Sequence, residues 1–423
     1  MRTLSTISTF LVISAILSGP AMAESTGNTE NLSRLISSAL TSNPELKASQ
    51  ARWEMFRNKV DQARALDDPM LMLKIQNGLV RAPLNFRKDS MTQRVIGLSQ
   101  QLPFWGKRAL KGAVAEKEAE SYKWTLEERK LELARMVKES YYQIYYVDRS
   151  LAIVDRNIRI FNDFITLAQT KYAVGQGLQQ DVFKAQVERS KMLDMRITLE
   201  QQRKSQEASI NALLSRPAGT PVNRIADVEI QPFSATAEEL AAIADDNRPL
   251  LKGSRALVEK ADAGLKLAKK EYLPDFNLAF EYMQRDPAMG SDGADMYSLG
   301  LTFNLPVQRS RRQAAVAESN AEARMVAEEL NSQRNTIKAG IADLLAQMER
   351  RRKLADLYRT GILPQARQSL ESATIGYRVN KIDFLALLDS SVTLFNYERE
   401  YFDSVADYQM KKAQLEALVG KEL

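Results

Sequence analysis

Two short stretches in each half of the chain alternate apolar and polar residues with a period of two. In the second half Phe276, Leu278, Phe280 and Tyr282 alternate with Asn277, Ala279, Glu281 and Met283. Tyr297, Leu299, Leu301, Phe303 and Leu305 alternate with Ser298, Gly300, Thr302 and Asn304. In the first half Leu71, Leu73 and Ile75 oppose Met70, Met72, Lys74 and Gln76, and Ile96, Leu98 and Leu102 oppose Val95, Gly97, Ser99 and Gln101. Such alternation predicts strands with one apolar and one wet face. The wet face of the last strand is small and polar, which suits a barrel lining better than a packed core. Tilted strands of about ten residues cross a bilayer; the edge of a soluble sandwich is the other structure this pattern allows. Four strands cannot close a membrane barrel, because the smallest has about eight. Open edges in lipid would leave backbone groups unpaired at several kcal/mol each. Either these strands lie outside a membrane, or several chains share one barrel.

The helical pattern points to the second branch. Residues 32 to 67 read as helix with a break at Asn43-Pro44. From Ala113 to Val174 there is neither Gly nor Pro, and a helix of that span is about 93 Å long. Ile144, Val147, Leu151, Val154, Ile158, Phe161, Ile165, Ala168 and Tyr172 follow a three-four spacing, a heptad seam. Tyr142, Tyr146, Ile153, Ile160, Phe164 and Leu167 form a second stripe. Two seams imply two helical neighbours, as in a sheet of helices closed into a tube or in a long solid bundle. The helix should end at Val174-Gly175-Gln176-Gly177, where Gly175 can supply a left-handed cap. A return helix is expected from about Gln179 to Leu214. The second half repeats the design from about Arg309 to Tyr377, with bends expected at Gly340 and at Gly361 to Pro364. It breaks at Val379-Asn380-Lys381 and returns from Ile382 to about Leu418.

The halves are copies. Pro44, Lys47, Ser49, Ala51 and Pro69 recur 205 residues later as Pro249, Lys252, Ser254, Ala256 and Pro274. Gly97, Leu98, Leu102 and Pro103 recur 203 residues later as Gly300, Leu301, Leu305 and Pro306, and Tyr172 recurs as Tyr377. A unit so long exceeds solenoid repeats of about 20 to 50 residues, so the chain reads as a duplicated half-protein. The expected division is an export signal over 1–23, a first repeat over 24–214, a linker over 215–235 and a second repeat over 236–423. The linker carries Pro217, Gly219, Pro221 and Pro232.

Composition narrows the function. Arg2, an apolar run from Phe10 to Leu17 and the small-x-small site Ala21-Met22-Ala23 form a cleavable signal pattern. Losing Arg2 with it would take the formal charge from +6 to +5. No later stretch approaches the roughly 18 apolar residues of a membrane-spanning helix. With no His and no Cys, triads, thiol nucleophiles, His/Cys zinc sites, disulfides and a lipidated N-terminal cysteine are excluded. No acidic pair sits in a context that suggests a substrate cleft, so neither an enzyme nor a cofactor or metal site is expected. Basic clusters such as Lys107-Arg108 with Lys111, Arg309 with Arg311-Arg312, and Arg350 to Lys353 read as solvated helix faces rather than nucleic-acid contacts. The 15 methionines could suit Cu(I), but only Met70 and Met72 share one strand face, and core filling explains the rest.

These features resemble the TolC-like outer membrane efflux family over nearly all of the mature chain. The duplication, the Leu102-Pro103 and Leu305-Pro306 junctions, and two tip motifs carry the likeness. The tips are Tyr172-Ala173-Val174-Gly175 with Asp181-Val182-Phe183, and Tyr377-Arg378-Val379 with Asp383-Phe384-Leu385. Leu102 to Arg108 and Lys381 to Leu385 are similar to the metal-cation, CusC/CzcC-like subgroup. The resemblance implies a mainly α fold with a small β part: a homotrimer whose four strands per chain build one twelve-stranded barrel in outer membrane lipid, above a tube of helices. It implies a passive exit duct that serves a periplasmic adaptor protein and an inner-membrane pump of the resistance–nodulation–division type. By the same likeness Asp383 faces the lumen, where a ring of carboxylates would concentrate cations; an acid at a helix start also suits the dipole. Asp389 belongs to the lumen or is simply solvated. Asp181, Tyr172 and Tyr377 are the expected closed-state tethers. Val174, Gly175, Gln176, Val379, Asn380 and Lys381 are the expected adaptor contacts. The chain departs from the family in Asn380 for Gly, in Ala386 where related channels often hold a second aspartate, and in tip spacing, nine residues from Tyr172 to Asp181 against six from Tyr377 to Asp383. Metal cations are the expected cargo, with drugs or other small solutes and a soluble exported adaptor or scaffold as the alternatives.

Overall fold

The computed structural model describes residues 29–423, and the expected signal lies outside them. Four strands, β1 (Met70–Gln76), β2 (Gln93–Leu102), β3 (Phe276–Arg285) and β4 (Met296–Phe303), form one antiparallel sheet in sequence order. The central pairing of β2 with β3 joins the two halves. Strand register gathers the apolar residues into rows that cross all four strands. Leu71, Leu98, Phe280 and Leu299 form one row; Leu73, Ile96, Tyr282 and Tyr297 form the next. This face is bare: Leu73 is 71 % and Tyr297 76 % exposed. The opposite face carries Gly97, Ser99, Ala279 and Gly300, an ion pair from Lys74 to Glu281 at 3.3 Å, and a hydrogen-bonded chain from Gln76 through Gln93 to Arg285. β1 is only seven residues long, shorter than expected, and both β1 and β4 are open edges.

Helices fill the rest. α1 (Leu32–Ser42) and α2 (Pro44–Arg64) meet at Asn43, whose side chain caps α2 through the Glu45 N–H at 2.9 Å. α3 (Lys107–Ala173) is followed by α4 (Gln179–Leu213), α5 (Ala237–Asn247) and α6 (Pro249–Lys270). α7 (Arg309–Leu357), α8 (Leu363–Arg378) and α9 (Phe384–Val419) complete the second half. α3 starts six residues before Ala113, because Gly112 does not interrupt it; a Cβ there would run into the Arg64 side chain of α2. α7 continues through Gly340 without a break in its helical hydrogen bonding. At Gly361 the helix widens into one π-helical turn, Tyr358–Ile362, just before Pro364, whose missing N–H interrupts the regular ladder.

The two seams of α3 find their partners. Near the sheet α3 lies against α2, with Phe56 stacked on Tyr122 at 3.8 Å, and against α6, with Lys260 on Glu118 at 3.0 Å. Farther along it lies against α4, with Arg203 on Asp148 at 2.7 Å, and α9, with Lys138 on Glu416 at 2.6 Å. Ile144, Val147, Val154, Phe161 and Ala168 of the first seam are buried, as are Ile153 and Phe164 of the second. Among the described residues no helix is long and apolar enough to cross a membrane.

The sheet is tied to the tube by one buried amine. Lys107, in the first turn of α3, bonds Asp275 at 2.9 Å, Glu271 at 3.4 Å and the Leu273 carbonyl at 2.9 Å. The Asp275 carboxylate also accepts the Phe104 N–H at 2.8 Å. Gly106 precedes it at φ +85°, where a Cβ would meet Lys270 Nζ at 2.6 Å. A buried charge stripped of its partner costs about 3–5 kcal/mol, whereas exposed pairs contribute little. Asp275→Ala is therefore expected to lower the midpoint of thermal unfolding in detergent clearly. Removing the exposed Arg352 that pairs with Glu349 should leave it nearly unchanged.

Candidate functional site

The end of the molecule far from the sheet is made of two helix hairpins, α3–α4 and α8–α9. Each has a five-residue loop, 174–178 and 379–383. The loops match residue for residue at an offset of 205. Val174 and Val379 end the helices, and Gly175 (φ +75°) and Asn380 (φ +59°) are both left-handed. Gln176 N–H donates to the Lys171 carbonyl at 2.8 Å, and Lys381 N–H to the Gly376 carbonyl at 2.9 Å. This six-to-one bond closes a Schellman-type end. Asn takes the glycine position because its short polar side chain tolerates left-handed geometry.

The equal loops reinterpret the unequal spacing of tyrosine and aspartate. No residues are missing from the second tip. Asp383 is the N-cap of α9, in the place of Leu178, and its Oδ1 accepts the Ala386 N–H at 2.9 Å. Asp181 lies one turn further in, at the position of Ala386. The acid has moved along the same backbone. Asp383 and Asp389 are both exposed, but six residues of helix turn them about 120° apart, so they do not share one face.

The structure brings part of the expected tether set together. Tyr377 is buried, with its ring 5.4 Å from Phe384. Its hydroxyl has no hydrogen-bond partner at bonding geometry, although Asp181 of the other hairpin lies beside it. Burial first, and then the Asp181 charge, push the phenol up to about 12. Tyr172 does not join them; it points outward and is 49 % exposed. Of the expected adaptor contacts, Val174, Gly175, Gln176, Val379, Asn380 and Lys381 are all exposed, and Leu178, Phe183 and Leu385 add further bare apolar side chains beside them.

Sequence reasoning missed Lys171. It is 5 % exposed, sits 5.0 Å over the Tyr377 ring, and donates to the Arg378 carbonyl at 3.1 Å and to Asn380 Oδ1. Asn380 Nδ2 in turn donates to Gln176 Oε1 at 3.3 Å. The two tips are thus stitched together within one chain. The only signal was a lysine one residue before the Tyr-Ala-Val-Gly motif, with Gly376 at the matching place in the second half. Glu398 was missed as well; buried on α9, it meets Arg156 of α3 and Arg367 of α8.

An exposed apolar sheet face, a polar opposite face, and two long hairpins ending in matched loops form one arrangement, and known proteins share its overall fold. The chain resembles the cobalt-zinc-cadmium resistance protein CzcC of Cupriavidus metallidurans, at 21% identity over 92% of this chain and 90% of that protein. It is 22% identical to the outer membrane efflux protein BepC of Brucella suis over 83% of this chain and 77% of that one. The fold matches a solved structure of CusC with TM-score 0.79, at 15% identity, covering 92% of each chain. It matches VceC from Vibrio cholerae with TM-score 0.78, at 17% identity over 92% of this chain and 96% of that chain. The outer membrane efflux protein family matches residues 35–216 and 240–421, one copy in each half; the chain belongs to this family.

Proposed function

We propose that the protein is the outer membrane exit duct of a tripartite exporter, a homotrimer that conducts cargo passively. The carrying observation is the open four-stranded sheet with its apolar face bare. Three such sheets joined edge to edge give twelve strands, β4 of each copy beside β1 of the next. Closure pairs the edge groups that lipid would leave unpaired and turns the apolar rows toward acyl chains. The Lys74–Glu281 face then lines the bore. The same rows count against a soluble adaptor or scaffold, which would leave them in water. A cleavable signal over 1–23 delivers the chain, and the repeats over 24–214 and 236–423, joined by 215–235, form the two hairpin sets of each copy.

The tips are the gate and the docking end. Val174, Gly175, Gln176, Val379, Asn380 and Lys381 meet a periplasmic adaptor bound to an inner-membrane pump of the resistance–nodulation–division type. Asp383 brings a threefold ring of carboxylates to the mouth. One of its oxygens caps α9, which leaves the other to attract cations. Metal cations are the cargo, a reading supported by the likeness to CzcC. Asp181 and Tyr377 hold the resting tips together, while Asp389 and Tyr172 stand at the surface for the neighbouring copy or the lumen.

Fractionation with unheated gel electrophoresis tests the assembly. A heat-sensitive trimer in the outer membrane is expected, and recovery as a soluble monomer overturns the reading. At the mouth, Asp383→Asn keeps a good cap while removing the charge, so planar-bilayer recordings should show reduced cation preference with unchanged thermal stability. Asp383→Ala should lose the same preference and also about 1 kcal/mol of cap stability. Unchanged selectivity in both variants removes Asp383 from the lumen.

The Tyr377 phenol gives a pH test. Its proton is held more firmly in the folded tip than in an opened one, so this contribution is complete below pH 10. It is lost as pH rises from 10 to about 12. Asp181→Asn should shift one tyrosinate transition to lower pH in ultraviolet absorbance, with Tyr377→Phe identifying the component by removing it.

A further inference from the structure

On the apolar face of the sheet, at the end nearest the helices, a groove of about 480 Å³ is lined by Leu102, Phe276 and Leu301 together with Phe104, Trp105 and Arg108. The three strand residues share the parity of the bare apolar rows, so the groove continues that surface. Trp105 stands out at 75 % exposed, its ring 5.4 Å from Phe104 and 5.5 Å from Phe276. Lys270 Nζ holds the Trp105 carbonyl at 3.0 Å. Apolar strand, projecting indole and then a cation is the order of groups met on leaving a hydrocarbon layer for its headgroups.

Among the described residues no acid pairs with Arg108. The ion pairs of this junction go to Lys107, while Arg108 is exposed to solvent. It lies in the first turn of α3, which holds no acid, although cations at a helix start run against the dipole. The matching place in the second half repeats the arrangement, with exposed Leu305 and Val307 followed by exposed Arg309 and Arg311 at the start of α7, again without an acid in the first turn. Asp67 and Asp68, after Leu66 on the β1 side, are the acids of this rim. A cation placed against both apolar surface and a helix start calls for an amphiphilic anion.

We propose that this groove binds an anionic phospholipid, with an acyl chain along Leu102, Phe276 and Leu301, and the headgroup phosphate on Arg108. The site rests on the membrane seat proposed above and adds a specific lipid to it. A second copy of the chain is not the occupant, because copies would meet through the backbone edges of β1 and β4, whereas the groove opens on the apolar face of the sheet. An adaptor is not the occupant either, since the groove lies at the opposite end of α3 from the tips.

Native mass spectrometry of the detergent-released protein, with phosphatidylglycerol or phosphatidylcholine of identical acyl chains, is the test. Wild type should retain phosphatidylglycerol about fivefold over phosphatidylcholine, the ratio to which ~1 kcal/mol for one basic side chain at an anionic surface converts. Arg108→Gln should abolish the preference, Arg108→Lys should keep most of it, and Trp105→Ala should weaken retention of both lipids. Excess inorganic phosphate should not displace the bound lipid. Equal retention by wild type, an unchanged preference in Arg108→Gln, or displacement by phosphate overturns the proposal. The groove lies within one chain, so bound lipid is counted per chain whatever the oligomer, and the same spectrum reads the trimer mass separately.

Discussion

Backbone hydrogen bonding at the sheet edges constrains this protein more than any other interaction. A four-stranded sheet with an apolar face has two stable settings. It can be covered by helices, or its edges can be closed and its apolar face given to lipid. Here the helices do not cover it. They leave the sheet at Lys107 and Arg309 and run away from it, so the apolar rows stay bare while the core forms elsewhere. That core lies between helices in three clusters, around Tyr145 and Ile210, around Phe161 and Phe384, and around Ile341 and Leu415. The chain can therefore order its helices alone but not satisfy its strands alone. The buried Lys107 network sits at the boundary of these two regimes. Because it joins the first turn of α3 to the chain that enters β3, it ties the helices to the sheet.

Much of this was legible from periodicity. Strands announce themselves by a period of two, and helices by an uninterrupted heptad, because each element must turn one face to a partner. Both seams of α3 could be named before any partner was known. The pairing of β2 with β3 could not, since nothing local in either half says that the two meet. Two glycines sit inside long helices for one reason. At Gly112 and Gly340 the missing Cβ serves close packing, against Arg64 in one case and Leu418 in the other, rather than a break. Near Gly361 an irregularity was visible, but its form as a wide turn depends on the hydrogen bonds that Pro364 removes.

At the tips the residue types were legible and their geometry was not. Counting from tyrosine to aspartate measured where the acid sits, not how long the loop is, and the two lengths coincide only when the acid holds the same helical position. Asp383 at the N-cap and Asp181 one turn deeper do not. Lys171 stayed hidden because a lysine in a last helical turn is ordinary for the dipole. Its burial between two hairpins is a tertiary fact.

The same comparison gives the duplication a physical meaning. Identical halves arranged in a ring would make every hairpin-to-hairpin junction alike. This chain keeps one backbone for both tips and gives them different side chains: Lys171 against Gly376, Asp181 against Ala386, Gln176 against Lys381. Inside one chain these differences meet productively, as Lys171 reaches Asn380 and Asp181 lies beside Tyr377. In the proposed ring, the junction between α8–α9 of one copy and α3–α4 of the next would place Gly376 where the amine stands and Ala386 where the acid stands. That junction lacks both links. Tips held within each copy and looser between copies would part along three seams rather than six, so sequence divergence between the two halves decides where the ring of hairpins yields.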